Sequence, residues 1–230
     1  MSVRQTFEAF LELPPTTAAL HMCRMVADDA LPAGVFLLHG PTGTGKTHLI
    51  QAVANAARRR CACRLVETRA VDLVAGIVRE LRWRDAPRAA LSYYQQLYLL
   101  VVDDLQWLGG KSGSQQAVAQ LFRQIVASGG TVVSASGSGA QTLPDLLSAL
   151  ESTSYREIEL TRPSKAEVQC LVRHLGDLHD VALSQETVSL IAERCGGDIG
   201  RVHGLVAQFA AAVRYSTRGA AAAALARVRS

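Results

Sequence analysis

VFLLHGPTGTGKTHLIQAVANAARRR, Val35 to Arg60, is the stretch on which the architecture turns. A short apolar run, VFLLH, has the length and character of a buried strand, and HLIQAVANAARRR reads as an amphipathic helix. Between them Gly40-Pro41-Thr42-Gly43-Thr44-Gly45-Lys46-Thr47 fits G-x-x-x-x-G-K-[ST] at every position. The strand, loop and helix context that this motif requires is therefore present. Its glycines let backbone N–H groups curl inward around phosphate oxygens, and a following helix adds the positive end of its dipole. Lys46 then reaches the β- and γ-phosphates of a bound nucleotide, and Thr47 offers its hydroxyl to Mg2+. A glycine-rich turn arising by chance would carry neither flank.

A second stretch, LYLLVVDDLQWLGGK from Leu97 to Lys111, ends an apolar strand on two adjacent carboxylates. Like charges side by side at a buried strand end are unfavourable alone, and a magnesium-loaded triphosphate offsets their repulsion. At the carboxyl end of a parallel strand beside a phosphate loop, Asp103 is expected to hold Mg2+ through water. Asp104 is expected to polarise the attacking water. The plainer alternative, two carboxylates ending a strand in solvent, leaves the upstream loop without a partner.

From Val35 to Leu160 short β-rich runs, VFLLHG, CRLVET, LYLLVVDD, TVVSAS and REIEL, alternate with helical periodicity. That is the pattern of an α/β fold with a mostly parallel sheet covered on both faces. After Thr161-Arg162-Pro163 the strands stop. Ser164-Lys165-Ala166-Glu167 reads as a capping box, a second helix follows Ser184, and a third runs from about Asp198 to Tyr215. The expected organisation is an α/β nucleotide-binding domain over 1–161 and a small helical domain over 162–230, with Ala220 to Ala224 on a surface helix.

Composition agrees with a packed chain, since 230 residues at 49% hydrophobic are enough for one good core and a small appendage. No apolar run approaches the roughly 20 residues that span a bilayer, and MSVRQTFEAF lacks the apolar centre of a signal peptide, so a cytoplasmic protein is expected and no membrane partner. Cys23, Cys61, Cys63, Cys170 and Cys195 show no repeated metal-ligand spacing and read as reduced, mostly packing residues. A formal charge of +4 is too small by itself to argue for nucleic acid. Local arginine clusters stand at Arg58-Arg59-Arg60 with Arg64, at Arg79, Arg82, Arg84 and Arg88 around Trp83, and at Arg214, Arg218, Arg227 and Arg229. Each reads first as a solvated helix face.

The finer spelling carries a resemblance. GPTGTGKTHLIQAVANA, YYQQLYLLVVDDLQWLGGK and the lead-in TFEAFLELPPTTAALHMCRMVADD resemble the AAA+ ATPase domain of bacterial DnaA replication initiators and their stand-alone relatives. The likeness runs from about Thr6 to the last residue. Thr-His-Leu after the loop lysine, and a double aspartate followed by the triplet Leu105-Gln106-Trp107, are more specific than a bare phosphate loop. The resemblance implies a P-loop NTPase of the AAA+ class, with a five-stranded parallel core, a helical lid, and ATP or ADP with Mg2+ between them. It further implies Gly40 to Thr47 as nucleotide ligands, His48 at a position where the family also has histidine, Ser136 at the sensor position after VVSAS, and Arg201 near the lid's sensor arginine. For His48 itself, packing in the first helical turn is the plainer role.

Departures from the family pattern point one way. Initiators carry Arg-Leu-x-Ser-Arg-Phe before the last strand, the final arginine reaching a neighbour's γ-phosphate; here the stretch reads Ala149-Leu150-Glu151-Ser152-Thr153-Ser154-Tyr155, and Arg156 stands at a shifted position. Gly200, not arginine, lies four residues before Gly204, and Arg201, one place on, is turned about 100 degrees around a helix axis. Ser136 replaces an aspartate, and Gln95 stands where initiators place an arginine of their single-strand-binding element. Each change removes a group that senses the γ-phosphate, drives assembly or touches DNA, so binding should survive better than turnover. No helix-turn-helix domain follows the lid, and sequence-specific duplex recognition is not expected.

The readings that remain are a slow Mg2+-dependent ATPase of the initiator or helicase-loader kind, and a nucleotide-gated regulatory partner of a full-length AAA+ protein. A small-molecule kinase finds no substrate motif. The partners implied are a full-length AAA+ initiator or a replicative helicase, and single-stranded DNA bound weakly and without sequence preference; the oligomeric state is left open. Trp83, Trp107 and Lys111 read as packing or loop residues before they read as DNA contacts, and His174 and His179 have no metal-like partners in the sequence.

Overall fold

The computed structural model describes residues 5–60, 64–82, 93, 94 and 96–214. Cys61, Cys63, Trp83, Arg84, Arg88, Gln95, Arg218, Arg227, Arg229 and the alanine tract at 220–224 lie outside the described residues.

Five parallel strands are present, β1 (Val35–His39), β2 (Leu65–Arg69), β3 (Leu99–Asp103), β4 (Thr131–Ser136) and β5 (Tyr155–Glu159), in the order β2-β3-β4-β1-β5. They coincide with the five β-rich runs of the sequence. Between and before them run α1 (Thr17–Ala27), α2 (Lys46–Arg60), α3 (Ala70–Arg82), α4 (Ser112–Ala127) and α5 (Pro144–Leu150). The pleat explains the layers. Val35 and Leu37 of β1, with Leu100 and Val102 of β3, face a core built with Leu73, Phe122, Ile125 and Leu146 from α3, α4 and α5. Their neighbours Phe36, Leu38, Leu99 and Val101 point to the opposite face, where Leu20 and Cys23 of α1 and Leu49, Ile50 and Val53 of α2 close a second core. Burying each such aliphatic side chain contributes about 1.5–3 kcal/mol. The outer strands differ from this pattern: β2 and β5 are only partly covered, as edges of a sheet must be.

The described residues form two compact units, one drawn from 5–10, 16–41 and 46–160, the other from 11–15, 42–45 and 161–214. The second contains α6 (Lys165–Leu178), α7 (Gln185–Cys195) and α8 (Ile199–Arg214), packed through Val168, Leu171, Leu175, Val188, Ile191 and Val202. The tip of the glycine-rich loop, 42–45, groups here because the carbonyl of Gly43 accepts the N–H of Ile199 at 2.6 Å. The capping box forms as spelled: Ser164 Oγ accepts from Glu167 N at 3.3 Å, and Glu167 Oε2 accepts from Ser164 N at 2.6 Å. Ser184 caps α7 through Thr187 N at 3.2 Å. Cys23 and Cys195 are buried as expected of packing residues, whereas Cys170 is exposed; it occupies the solvent side of α6, where nothing requires an apolar group.

Candidate functional site

Three glycines of the loop, Gly40, Gly43 and Gly45, have φ of 139°, 86° and 95°. An L side chain pays for such backbone conformations, and at two of them space forbids it as well. A Cβ on Gly40 would collide with the carbonyl of Leu160, and one on Gly43 with the carboxylate of Asp198. The loop passes directly into α2, whose first-turn N–H groups have no intrahelical acceptor. Lys46 opens that helix. Only 7% exposed, it donates from Nζ to the carbonyls of Gly40 and Pro41 at 2.8 and 2.7 Å. Burial lowers the pKa of its ammonium, and the carboxylates of Asp103 and Asp104 oppose that shift.

The strands bring three positions to one edge. Because β1, β3 and β4 are parallel, His39, Asp103 and Ser136 end at the same side of the sheet, with His39 in register with Ser136. Ligand sites of open α/β sheets form outside this carboxyl edge. Thr47 Oγ1, one residue beyond Lys46, donates to Asp103 Oδ2 at 2.8 Å, joining positions 56 residues apart. Asp103 Oδ1 accepts from Asp104 N at 2.8 Å. Burial raises the pKa of Asp103, and the Thr47 hydroxyl and Asp104 N–H oppose the rise. A hydroxyl and a carboxylate oxygen side by side form a hard, all-oxygen donor pair, which suits Mg2+ better than a softer metal.

Asp104 leaves β3 with φ 61° and ψ 38°, a left-handed conformation that non-glycine residues seldom adopt. Its Oδ1 accepts from Gln106 Nε2 at 2.7 Å, and Gln106 Oε1 accepts from Gly137 N, also at 2.7 Å. Ser136, wholly buried at the end of β4, accepts from Ser138 N at 3.3 Å and lies 3.4 Å from the Ser138 hydroxyl. Ser138 in turn meets Thr142 Oγ1 at 2.8 Å.

Other residues singled out in the sequence are placed differently. His48 Nε2 donates to the carbonyl of Thr6 at 2.9 Å, and its ring packs edge-on against Phe10 at 5.2 Å, so it anchors the N-terminal lead-in. Burial lowers its pKa, against a smaller upward pull from the Thr6 contact. Arg201 is exposed in the first turn of α8, its N–H donating to Asp198 Oδ1 at 2.9 Å. Arg156 lies within β5, paired in register with Phe36, and is exposed; Thr153 and Ser154 precede the strand. Trp107 is 59% exposed, and its carbonyl accepts from Lys111 Nζ at 2.8 Å. Of the arginine cluster around Trp83, only Arg79 is described with its side chain. Two residues carried no role in the sequence reading. Gln106 stood in view inside the quoted triplet, but its contact 31 residues away has no local signature. Asp198 was legible only as a helix-start residue three before Arg201.

A family model of the bacterial DnaA ATPase domain matches residues 1–158. The chromosomal replication initiator protein DnaA of Campylobacter jejuni subsp. doylei is 24% identical over 210 residues, 87% of this chain and 46% of that protein, so the chain spans about half the length of the curated relatives it matches. Among solved structures, domain III of the Thermotoga maritima replication initiation protein DnaA superposes with a TM-score of 0.80 at 21% identity, covering 99% of this chain and 98% of that one. A replication initiator DnaA bound to AMPPCP and single-stranded DNA gives a TM-score of 0.73 at 20% identity, over 89% of this chain and 64% of that one. At these identities the superpositions establish a shared fold.

Proposed function

The chain belongs to the bacterial DnaA ATPase-domain family, the AAA+ class of P-loop proteins, and from that premise we propose that it binds ATP or ADP with Mg2+ and hydrolyses ATP slowly, in replication initiation or its control. The observation that carries the reading is the 2.8 Å contact of Thr47 with Asp103, which joins the loop to the strand end. Lys46 supplies the positive charge on the β- and γ-phosphates, backbone N–H groups of Gly43 to Thr47 supply the cradle, and Thr47 and Asp103 hold the metal. Mg2+ held there would supply positive charge to offset that of the phosphates. Asp104 orients and polarises the attacking water, and Ser136 lies at the sensor position. His48, in the first turn of α2, anchors the N-terminal segment, and Arg201 stands one place from where the family resemblance puts the lid's sensor arginine.

Slow turnover is supported by the groups that differ. Ser136 offers a neutral hydroxyl, a weaker hydrogen-bonding group than the charged carboxylate of an aspartate, Gly200 has no side chain, and Thr153 and Ser154 precede β5 where the family has an arginine. The same differences favour a second reading, a nucleotide-gated partner of a full-length initiator or helicase that barely hydrolyses. Nucleotide binding is common to both. Calorimetric titration of Mg·ATP tests it: Lys46→Ala removes charge-assisted contacts individually worth about 1.5–3 kcal/mol and should weaken binding roughly 10- to 100-fold or more. Unchanged affinity in the variant contradicts the assignment.

Single-stranded DNA is the proposed nucleic-acid partner, contacted by Arg79 and the arginines that follow it. Such binding rests on phosphates and should be weak, insensitive to sequence and steeply salt-dependent. Fluorescence anisotropy with unrelated oligonucleotides at increasing salt checks this, and a tight complex with one duplex at physiological salt counts against it.

A further inference from the structure

The side chain of Gln106 can be oriented without ambiguity. A backbone N–H only donates, so the atom that meets Gly137 N at 2.7 Å is the amide oxygen, and Nε2 is thereby turned onto Asp104 Oδ1 at 2.7 Å. Both contacts are at the short end of the N–H···O range. Gln106 is also held by its own main chain, its carbonyl accepting from Gly109 N at 3.0 Å in the turn Leu105–Leu108. The amide is thus a fixed strut rather than a mobile surface group.

We propose that Gln106 is a positioning residue, which sets the rotation of the Asp104 carboxylate about its Cβ–Cγ bond and ties it to the chain leaving β4 just after Ser136. The proposal rests on the reading that Asp104 polarises the attacking water. With Oδ1 engaged by the amide, the direction of Oδ2 is determined, and a base must be aimed to be useful. Asp104 sits where the backbone is itself in a left-handed conformation, so its side chain leaves the strand end in an unusual direction that needs a support. The same strut makes a route for information. A shift of Gly137, adjacent to the buried Ser136, moves Gln106 Oε1 and with it the donor on Asp104, so what the sensor strand touches reaches the base through one side chain.

Two substitutions separate this role from simple bracing of the turn. Gln106→Met keeps the length and loses both bonds. Gln106→Glu keeps an acceptor for Gly137 but sets a carboxylate against Asp104. In single-turnover hydrolysis both variants should lose about 10- to 100-fold in rate, the scale of effect of a misplaced reacting group, with Mg·ATP affinity within about twofold of wild type. A role limited to bracing Gly137 predicts rescue by Glu, and that result, or a parallel loss of affinity and rate in both variants, overturns the proposal. A second readout does not need turnover. Asp104→Asn should shift the Gly137 amide resonance in 1H–15N spectra of the otherwise wild-type chain and leave it in place in the Gln106→Met background; an equal shift in both backgrounds overturns the coupling. A wild-type chain that binds Mg·ATP without hydrolysing it defeats the ATPase reading instead, and the resonance experiment still decides the contact.

Discussion

His48 carries an imidazole whose burial favours the neutral form. Its Nε2 proton is used by Thr6, and its ring is covered by Phe10. Burial holds its pKa below the ordinary 6.5. As pH falls, the unfolded chain therefore takes up a proton before the folded one does. His48 contributes stability above about pH 6.5 that is lost as the pH falls through and below that value. Melting temperature measured between pH 7.5 and 5 should fall less steeply in His48→Gln, which keeps a donor but does not titrate. Identical slopes would show that His48 is not a source of the dependence. This residue also shows what the sequence left unsaid: the histidine after Lys46 and Thr47 was visible, but its partner lies 42 positions upstream, and no local pattern names it. Lys46, Thr47, Asp103 and Asp104 could be singled out in the sequence because the chemistry proposed for them demands particular residue types beside a phosphate loop and at a strand end. Gln106 and Asp198 could not, because the groups they touch are set by sheet order and helix packing.

The helix starts show the opposite case, in which a few neighbouring residues are sufficient. At α6 the reciprocal bonds of Ser164 and Glu167 satisfy N–H groups that the helix cannot satisfy itself. Ser164→Ala should cost about 1 kcal/mol, which for a chain of this size lowers the melting temperature by roughly 2–4 °C. Thermal denaturation followed by circular dichroism checks the figure, and a variant as stable as wild type would mean the cap is not used in solution. The buried strands β1, β3 and β4 were equally plain, being continuous apolar runs between turn residues. The short helix α5 was not, because seven residues give too little periodicity to read, although Pro144 at its first turn marks a start. Within β5 the run REIEL already placed Arg156 in a strand, but its register opposite Phe36 is set by sheet order and has no local signature.

For the protein as a whole, we propose that one chain supplies the loop, the metal-binding pair and the water-polarising aspartate, while Thr153 and Ser154 stand before β5 where the family resemblance places an arginine drawn on by a neighbour. That arginine stabilises charge on the transferring phosphoryl group and is worth roughly 10³–10⁵ in rate, or about 4–7 kcal/mol of barrier. Self-association should therefore bring no acceleration, although a partner carrying its own arginine still would. The most direct test is steady-state ATP turnover per subunit over a wide range of protein concentration, repeated with Arg156→Ala. We expect a low, Mg2+-dependent rate that is independent of concentration and unaffected by the substitution; a rate that climbs cooperatively with concentration and collapses in Arg156→Ala would identify Arg156 as a finger supplied between copies and contradict the account.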